Sequence, residues 1–306
     1  MKYPFSIMVA SLVLILSAPV HAALSVVTTT EDLASIARSI GGDRITVTSL
    51  TRGSADPHFA VAKPSMIRRV YSADLLVLVG AEIEVGWLPA LLKSARNSKV
   101  LPGNAGYLDL SEHVTLKGAI SGPIDRSMGD VHARGNPHYW LDPYNGIKMA
   151  TAIKNRLGEL DTENKPYYET RLDQFNEALL IKLKDWQARM APLSGMPVIA
   201  YHTSFIYLAE AFDFRIVDEV EPRPGISPSA AALGKLVEHI RQDHIELLIM
   251  EPWYERRSSQ WLQEQTGIKV AVIPQSVNSQ AGIEDYFSLF DTIVLEMTET
   301  RSSNRN

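Results

Sequence analysis

Three of the eight histidines in this chain stand where a metal ion could be held. His58 lies in Ala55-Asp56-Pro57-His58, His138 in Asn136-Pro137-His138-Tyr139-Trp140, and His202 in Ala200-Tyr201-His202-Thr203. Each falls in a short loop after an expected strand, and open α/β sheets bind ligands outside the carboxyl ends of their strands. Neutral imidazole is the commonest protein ligand for zinc, and three converging nitrogens with one position left over make a tetrahedral site. A lone histidine at a strand end is more often a hydrogen-bonded structural residue; the joint placement of three is what points to a metal. Proline before His58 and before His138 biases the preceding residue to extended geometry and stiffens each loop, which favours a preformed site. Asp142, in Leu141-Asp142-Pro143, has two readings. It accepts a hydrogen bond from a ligand imidazole and fixes its tautomer, or it caps a helix begun by Pro143.

The elements that must position these residues follow from apolar patterning. Short β-branched segments at Leu24 to Thr28, Ile45 to Leu50, Leu75 to Val79 and, more weakly, Lys99 to Leu101 alternate with helix-like stretches. The pattern resumes with Val198 to Tyr201, Phe214 to Val220, Leu247 to Met250 and Lys269 to Ile273. Such alternation predicts an α/β fold of two lobes, each a mostly parallel sheet covered by helices. Between them Tyr168, Leu172, Phe175, Leu179, Leu183, Trp186, Met190 and Leu193 recur at spacings of three and four, one face of a long helix. Pro166 suits its first turn, and Pro192 with Gly195 supplies its stop. The expected organisation is a leader over 1–22, a first lobe over 23–165, a linking helix over 166–193 and a second lobe over 194–306. A stiff connector of this kind limits hinge motion, and an intramolecular strut is preferred to a dimeric coiled coil, so a monomer is expected. The polar stretch from Thr298 to Asn306 is expected to fray.

Composition narrows the class. Lys2, an apolar run from Ile7 to Leu16 and then Val20-His21-Ala22 have the layout of a secretory signal. That run is about ten residues, against the roughly twenty that span a bilayer, so a protein released into the periplasm is expected. The sequence has no cysteine, hence neither disulfides nor a lipid-attachment thiol is expected. With a net charge of −5 and no dense Lys/Arg stripe, nucleic acid is not an expected partner.

Taken together the motifs resemble the zinc and manganese substrate-binding proteins of ABC importers, those like ZnuA and TroA. The resemblance rests on Asp56-Pro57-His58 with Lys63-Pro64-Ser65, on Ser72-Ala73-Asp74 running into Val79-Gly80, and on Asn136 through Pro143. It continues with His202, Phe205 and Tyr207, then Glu221-Pro222 with Pro224-Gly225, and Glu251-Pro252. What it implies is two α/β lobes on one long rigid helix, a metal in the cleft, first-lobe ligands matching His58 and His138, and a second-lobe ligand matching His202. Many members add an aspartate after the last strand of the second lobe, but the matching position here is Val277, which cannot ligate. Water or a nearby carboxylate is then expected to complete the shell; Glu251 is the first carboxylate candidate, or else it orients a ligand histidine or a loop backbone. A nitrogen-dominated site suits Zn²⁺ better than Mn²⁺ or Fe²⁺.

Three further features lie outside the three histidine motifs. His132, six residues before His138, is an accessory ligand or a solvated loop residue. His239 and His244 belong to a helix surface. The proline-rich run Glu221 to Ser229 is a fixed loop, either at the cleft rim facing a permease or a plain helix entry capped by Ser227 or Ser229. The function expected is capture of a divalent metal and delivery to an ABC importer permease, without catalysis. A zinc-dependent hydrolase with Glu251 as general base is the competing reading, although no His-Glu-x-x-His helix is present. A binding module for a metal chelate or an organic solute is the third.

Overall fold

Neighbouring residues of each central strand face different cores, and this alternation sorts the chain into layers. The computed structural model describes residues 23–120, 132–221, 223 and 225–303. The expected leader therefore lies outside the described residues, as do 121–131, Pro222 and Pro224. In the first lobe β1 (Leu24–Thr28), β2 (Ile45–Ser49), β3 (Leu75–Leu78) and β4 (Tyr107–Asp109) form a parallel sheet in the order β2-β1-β3-β4. Around it pack α1 (Glu31–Gly41), α2 (Pro64–Tyr71), α3 (Leu88–Ala95) and α4 (Pro143–Leu160). The connector α5 (Lys165–Met190) follows. The second lobe repeats the arrangement with β5 (Pro197–Ala200), β6 (Arg215–Glu219), β7 (Leu247–Met250) and β8 (Lys269–Val272) in the order β6-β5-β7-β8. Its helices are α6 (Ile206–Ala211), α7 (Ala230–Gln242), α8 (Arg257–Thr266) and α9 (Tyr286–Ser302).

Strand side chains point alternately to opposite faces of a sheet. Val26, Leu75 and Val77 of the first sheet, and Val198, Leu247 and Ile249 of the second, enter one apolar cluster that runs through both lobes. Their neighbours Val27, Leu76 and Leu78 face a core private to the first lobe. Ile199, Leu248 and Met250 do the same in the second. Two-sided burial explains why these strands read as continuous apolar runs instead of polar alternation.

The 26-residue α5 lines the shared cluster. Its buried positions are Tyr168, Leu172, Phe175, Leu179, Leu183, Trp186 and Met190, the face expected from the periodicity. Each large apolar side chain so buried stabilises the fold by about 1.5–3 kcal/mol. The helix is also pinned to α9, where Asp291 takes the Lys182 ammonium at 2.7 Å and the Trp186 indole N–H at 2.8 Å. A rod about 40 Å long, buried along one face in both lobes, holds them at a fixed spacing.

Other bonds join the lobes directly. Asp32, at the start of α1, accepts the Ser276 hydroxyl at 2.7 Å and the Val277 N–H at 2.9 Å across the seam. Trp140 donates its indole N–H to the Gln275 carbonyl at 2.9 Å. Burial pushes Asp32 up to about 7.

Two boundaries differ from expectation. The fourth strand forms at Tyr107–Asp109, whereas Ser98–Val100 is a short 3-10 turn. Lys99 to Leu101 runs into Pro102-Gly103, while Leu108 finds a buried place opposite Val77. At the other end α9 continues to Ser302, so Thr298 is helical and not frayed: its hydroxyl bonds the Val294 carbonyl at 2.7 Å. Among the described residues no helix is long and apolar enough to cross a membrane.

Candidate metal centre

Two copies of one local device aim the first-lobe histidines. In Asp56-Pro57-His58 the Asp56 carboxylate accepts the His58 backbone N–H at 2.9 Å and its ring Nδ1–H at 2.7 Å. In Asn136-Pro137-His138 the Asn136 carbonyl oxygen accepts the His138 backbone N–H and Nδ1–H, each at 3.0 Å. The backbone donor settles which end of the Asn136 amide faces the ring, since only its oxygen accepts; its nitrogen donates to the Thr203 carbonyl at 2.8 Å. Holding backbone and ring of one residue with a single acceptor, across an intervening proline, leaves the side chain little rotational freedom. A further bond, from the Trp87 indole to the Pro57 carbonyl at 3.0 Å, fixes the His58 turn to the lobe.

His202 is placed differently. It comes two residues after the end of β5, and its Nδ1–H donates to Glu221 Oε2 at 2.8 Å. The same oxygen accepts the Gly225 N–H at 2.9 Å, in a turn where Gly225 has a positive φ of 74° that few other residues adopt. In all three histidines Nδ1 carries the proton, so the lone pair of each neutral ring is on Nε2. Carboxylate or amide partners on the far nitrogen are the usual supports of metal-bound imidazole.

The rings stand together. Ring centroids are 5.2 Å apart for His58 and His138, 5.9 Å for His138 and His202, and 6.4 Å for His58 and His202. Imidazoles bound through nitrogen at about 2.0–2.1 Å in tetrahedral directions have centroids about 5.2 Å apart. The first-lobe pair already has that spacing, and His202 stands back by roughly one ångström on the same comparison. With His202 standing back, no group of three or more His, Asp or Glu among the described residues is spaced so that it could hold a metal ion without a shift of side chains.

Electrostatics favours a cation here. Burial pushes the His138 ring well below the usual imidazole range, and the neighbouring rings of His58, His202 and His132 add to the effect. For His202 burial acts in the same direction, but the Glu221 hydrogen bond and the charges of Glu251, Glu221 and Asp56 outweigh it and raise its pKa. Burial would raise Asp56 too, yet its hydrogen bonds and charge interaction with His58 hold it below the usual carboxylate range. The Asp56 and Glu221 carboxylates sit behind the rings, on their Nδ1 side, and not among the Nε2 atoms.

The remaining sequence candidates fall elsewhere. Asp142 caps α4, its carboxylate accepting the Tyr144 N–H at 2.9 Å, so of its two readings the helix cap is the one formed. Glu251 is fully buried beyond His202; one oxygen accepts the Ser204 hydroxyl at 2.6 Å and the other has no hydrogen-bond partner. Burial raises it to about 7, and neither oxygen bonds a ring nitrogen of the three histidines. His138 follows no strand directly; it precedes a 3-10 turn, Tyr139–Leu141, that leads into α4. Val277 has a buried side chain, and its loop is committed to Asp32. His239, at the surface end of α7, pairs with Asp218 at 2.7 Å. Sequence reasoning missed the orienting roles of Asp56, Asn136 and Glu221. For the first two a signal existed, an acceptor two residues before histidine with proline between; for Glu221 none did. A cleft of about 860 Å³ opens beside the site, bounded by Asp56, Glu221, Phe59, Tyr201 and Tyr254.

Comparison with known proteins agrees with this geometry. A family model described as zinc-uptake complex component A, periplasmic (ZnuA), matches residues 26–300. The manganese ABC transporter substrate-binding lipoprotein PsaA of Streptococcus pneumoniae is 27% identical over 254 residues, covering 81% of this chain and 78% of the relative. The zinc-binding lipoprotein AdcA of Streptococcus pneumoniae serotype 4 is 23% identical over 284 residues, 90% of this chain and 56% of the relative. A crystal structure of ZnuA superposes with a TM-score of 0.73 at 22% identity, covering 92% of this chain and all 100% of that one, a likeness of fold. These curated relatives are named as lipoproteins, so the expectation of a chain without a lipid anchor draws no support from them. With a match that runs through both lobes and spans all three histidines, the chain belongs to the periplasmic zinc-uptake component A (ZnuA) family.

Proposed function

We propose that this chain captures Zn²⁺ in the periplasm through Nε2 of His58, His138 and His202, as a monomer, and delivers it to the membrane permease of an ABC importer. The observation that carries the reading is the common tautomer: three separate acceptors hold Nδ1–H, and each leaves an Nε2 lone pair in a cluster between the lobes. Nothing is turned over. The metal is cargo, bound by donors the protein positions before it arrives.

Family membership and the names of the relatives support metal capture for import, and those names divide between manganese and zinc. Donor chemistry favours zinc. Imidazole nitrogen suits Zn²⁺, whereas Mn²⁺ favours carboxylate, carbonyl and water oxygen and binds more weakly at a given nitrogen site. The two nearest carboxylates, Asp56 and Glu221, are taken up by the far nitrogens of the rings.

Competitive titration of the purified chain with Zn²⁺ and Mn²⁺ tests the reading. Zn²⁺ is expected to bind with one-to-one stoichiometry and to displace Mn²⁺ fully. Alanine at His58, His138 or His202 is expected to weaken Zn²⁺ binding by more than about 100-fold. Retention of tight binding by any two of these variants would overturn the assignment.

A further inference from the structure

Beyond the three histidines, a fourth ring reaches the same place. His132 brings its Nε2 to 3.2 Å from Nε2 of His58, with ring centroids 5.2 Å apart. Two nitrogens on one edge of a zinc tetrahedron are separated by about 3.3–3.4 Å, and their ring centroids by about 5.2 Å. Both measured distances fit that edge. His132 also lies near enough to the His138 ring for its charge to act on it.

The segment bearing it is anchored to the first lobe. Ala133 donates its N–H to Glu82 at 2.7 Å, and Ile120 donates to the Ala133 carbonyl at 3.2 Å. Gly135 donates to the His132 carbonyl at 3.2 Å, and Arg134 lies 3.8 Å from Asp109. Glu82 itself belongs to the turn after β3 that Glu84 ties down by accepting the Val79 and Gly80 N–H groups at 2.8 and 3.0 Å. The loop of the second lobe nearest in sequence to a fourth position, Ser276 to Asn278, is turned instead toward Asp32 and Glu31.

We infer that His132 is the fourth protein ligand of the captured metal, coordinating through Nε2 and completing a shell of four imidazoles; the inference rests on the three-histidine reading above. The tautomers supply the chemical reason. Since His58 Nδ1–H is committed to Asp56, the His58 Nε2 carries a lone pair, and a contact of 3.2 Å between the two Nε2 atoms puts the proton on His132. When a dication takes the His58 Nε2 lone pair, that hydrogen bond is lost. The neutral His132 ring, which carries a single N–H proton, gains one at Nδ1 as it gives up the one at Nε2, offering its Nε2 lone pair from a position that already lies on the tetrahedral edge. Three donors then belong to the first lobe and His202 alone to the second.

The test compares the parent chain with His132→Ala and His132→Gln, with circular dichroism to verify folding. Zn²⁺ affinity is measured by competition with a chromogenic chelator, and X-ray absorption at the zinc edge counts imidazoles. Four imidazoles are expected in the parent and three plus a light oxygen donor in the variants. Affinity is expected to fall by more than about 100-fold, beyond the 10–100-fold typical of losing an outer partner. With Co²⁺ in place of Zn²⁺, the visible bands of the parent are expected to shift in both variants. Three imidazoles in the parent and unchanged affinity in the variants would overturn the inference while leaving the three-histidine capture intact. Tighter binding in His132→Ala would also overturn it, making His132 a competitor for the His58 lone pair. Absence of Zn²⁺ binding in the parent itself would instead overturn the functional reading.

Discussion

Replacing Glu221 with Gln removes a charge from behind His202 while keeping a side chain of the same shape. The glutamine oxygen can still accept the His202 Nδ1–H and the Gly225 N–H that now meet at Oε2, at 2.8 and 2.9 Å. Adding the width of the imidazole ring and a metal–nitrogen bond of about 2 Å puts the lost charge about 6.5 Å from the ion. For a dication at that distance the Coulomb term is about 1 kcal/mol at the dielectric constant of water and about 5 kcal/mol at an effective value of 20. Loss of an outer partner ordinarily weakens metal binding about 10–100-fold, or about 1.4–2.7 kcal/mol, the lower part of that range. The hydrogen bonds survive in the glutamine chain, so a decrease of about 10–100-fold in Zn²⁺ affinity is expected. Chelator competition at pH 7.5 measures it, with Glu255→Gln as control because Glu255 lines the same cleft from an exposed position. Binding by Glu221→Gln within about twofold of the parent would refute the claim that this carboxylate supports the site.

Acid should weaken capture through one ring in particular. His202 has a raised pKa and His138 a strongly lowered one, so protons compete with Zn²⁺ at His202 beginning above pH 6.5, while His138 stays neutral. Affinity measured from pH 8 to 5.5 is expected to fall by about tenfold per unit once the pH is below the His202 pKa, and a flat profile would contradict this. Stability of the metal-free chain carries an opposite contribution. Asp32 and Glu84 are buried acids raised to about 7, hence they bind protons more tightly folded than unfolded; that contribution is full below their unfolded pKa and lost as pH rises through about 7. Asp32→Asn keeps an acceptor for the Val277 N–H and a donor for the Ser276 hydroxyl, and urea titrations at pH 5.5 and 8 are expected to differ less for it than for the parent. Trp186→Ala empties a fully buried site on the connecting helix and is expected to cost about 3–5 kcal/mol by urea denaturation.

Legibility followed the range of the interactions. The buried face of α5 could be read because one helix carries its own period, and the central strands because burial on both faces leaves runs of apolar residues. The three histidines stood out through motifs that are local in sequence. What holds His202 could not be read, since Glu221 is 19 residues away and reaches it only because β5 and β6 pair side by side, with a register shift after Val198. The contact between His58 and His132 spans 74 residues, and the Asp32 to Ser276 bond spans 244. His132 was a candidate only through its spacing from His138, and neither pairing itself can be read from the sequence. Asp142 was open to two readings because an aspartate before proline serves a helix start and a ligand ring equally well, and only the Tyr144 bond distinguishes them. The strand at Tyr107–Asp109 was missed because three residues carry too short an alternation to register.

The continuous apolar interior joining both sheets has a thermodynamic consequence. Neither half can expose its share without stripping the other, so heating should give a single cooperative transition, with calorimetric and van't Hoff enthalpies equal. A ligand held at the junction then protects the entire polypeptide: free ion at 100 times its dissociation constant adds about 2.7 kcal/mol to global unfolding. Melting temperature becomes a readout of occupancy for every part of the molecule at once.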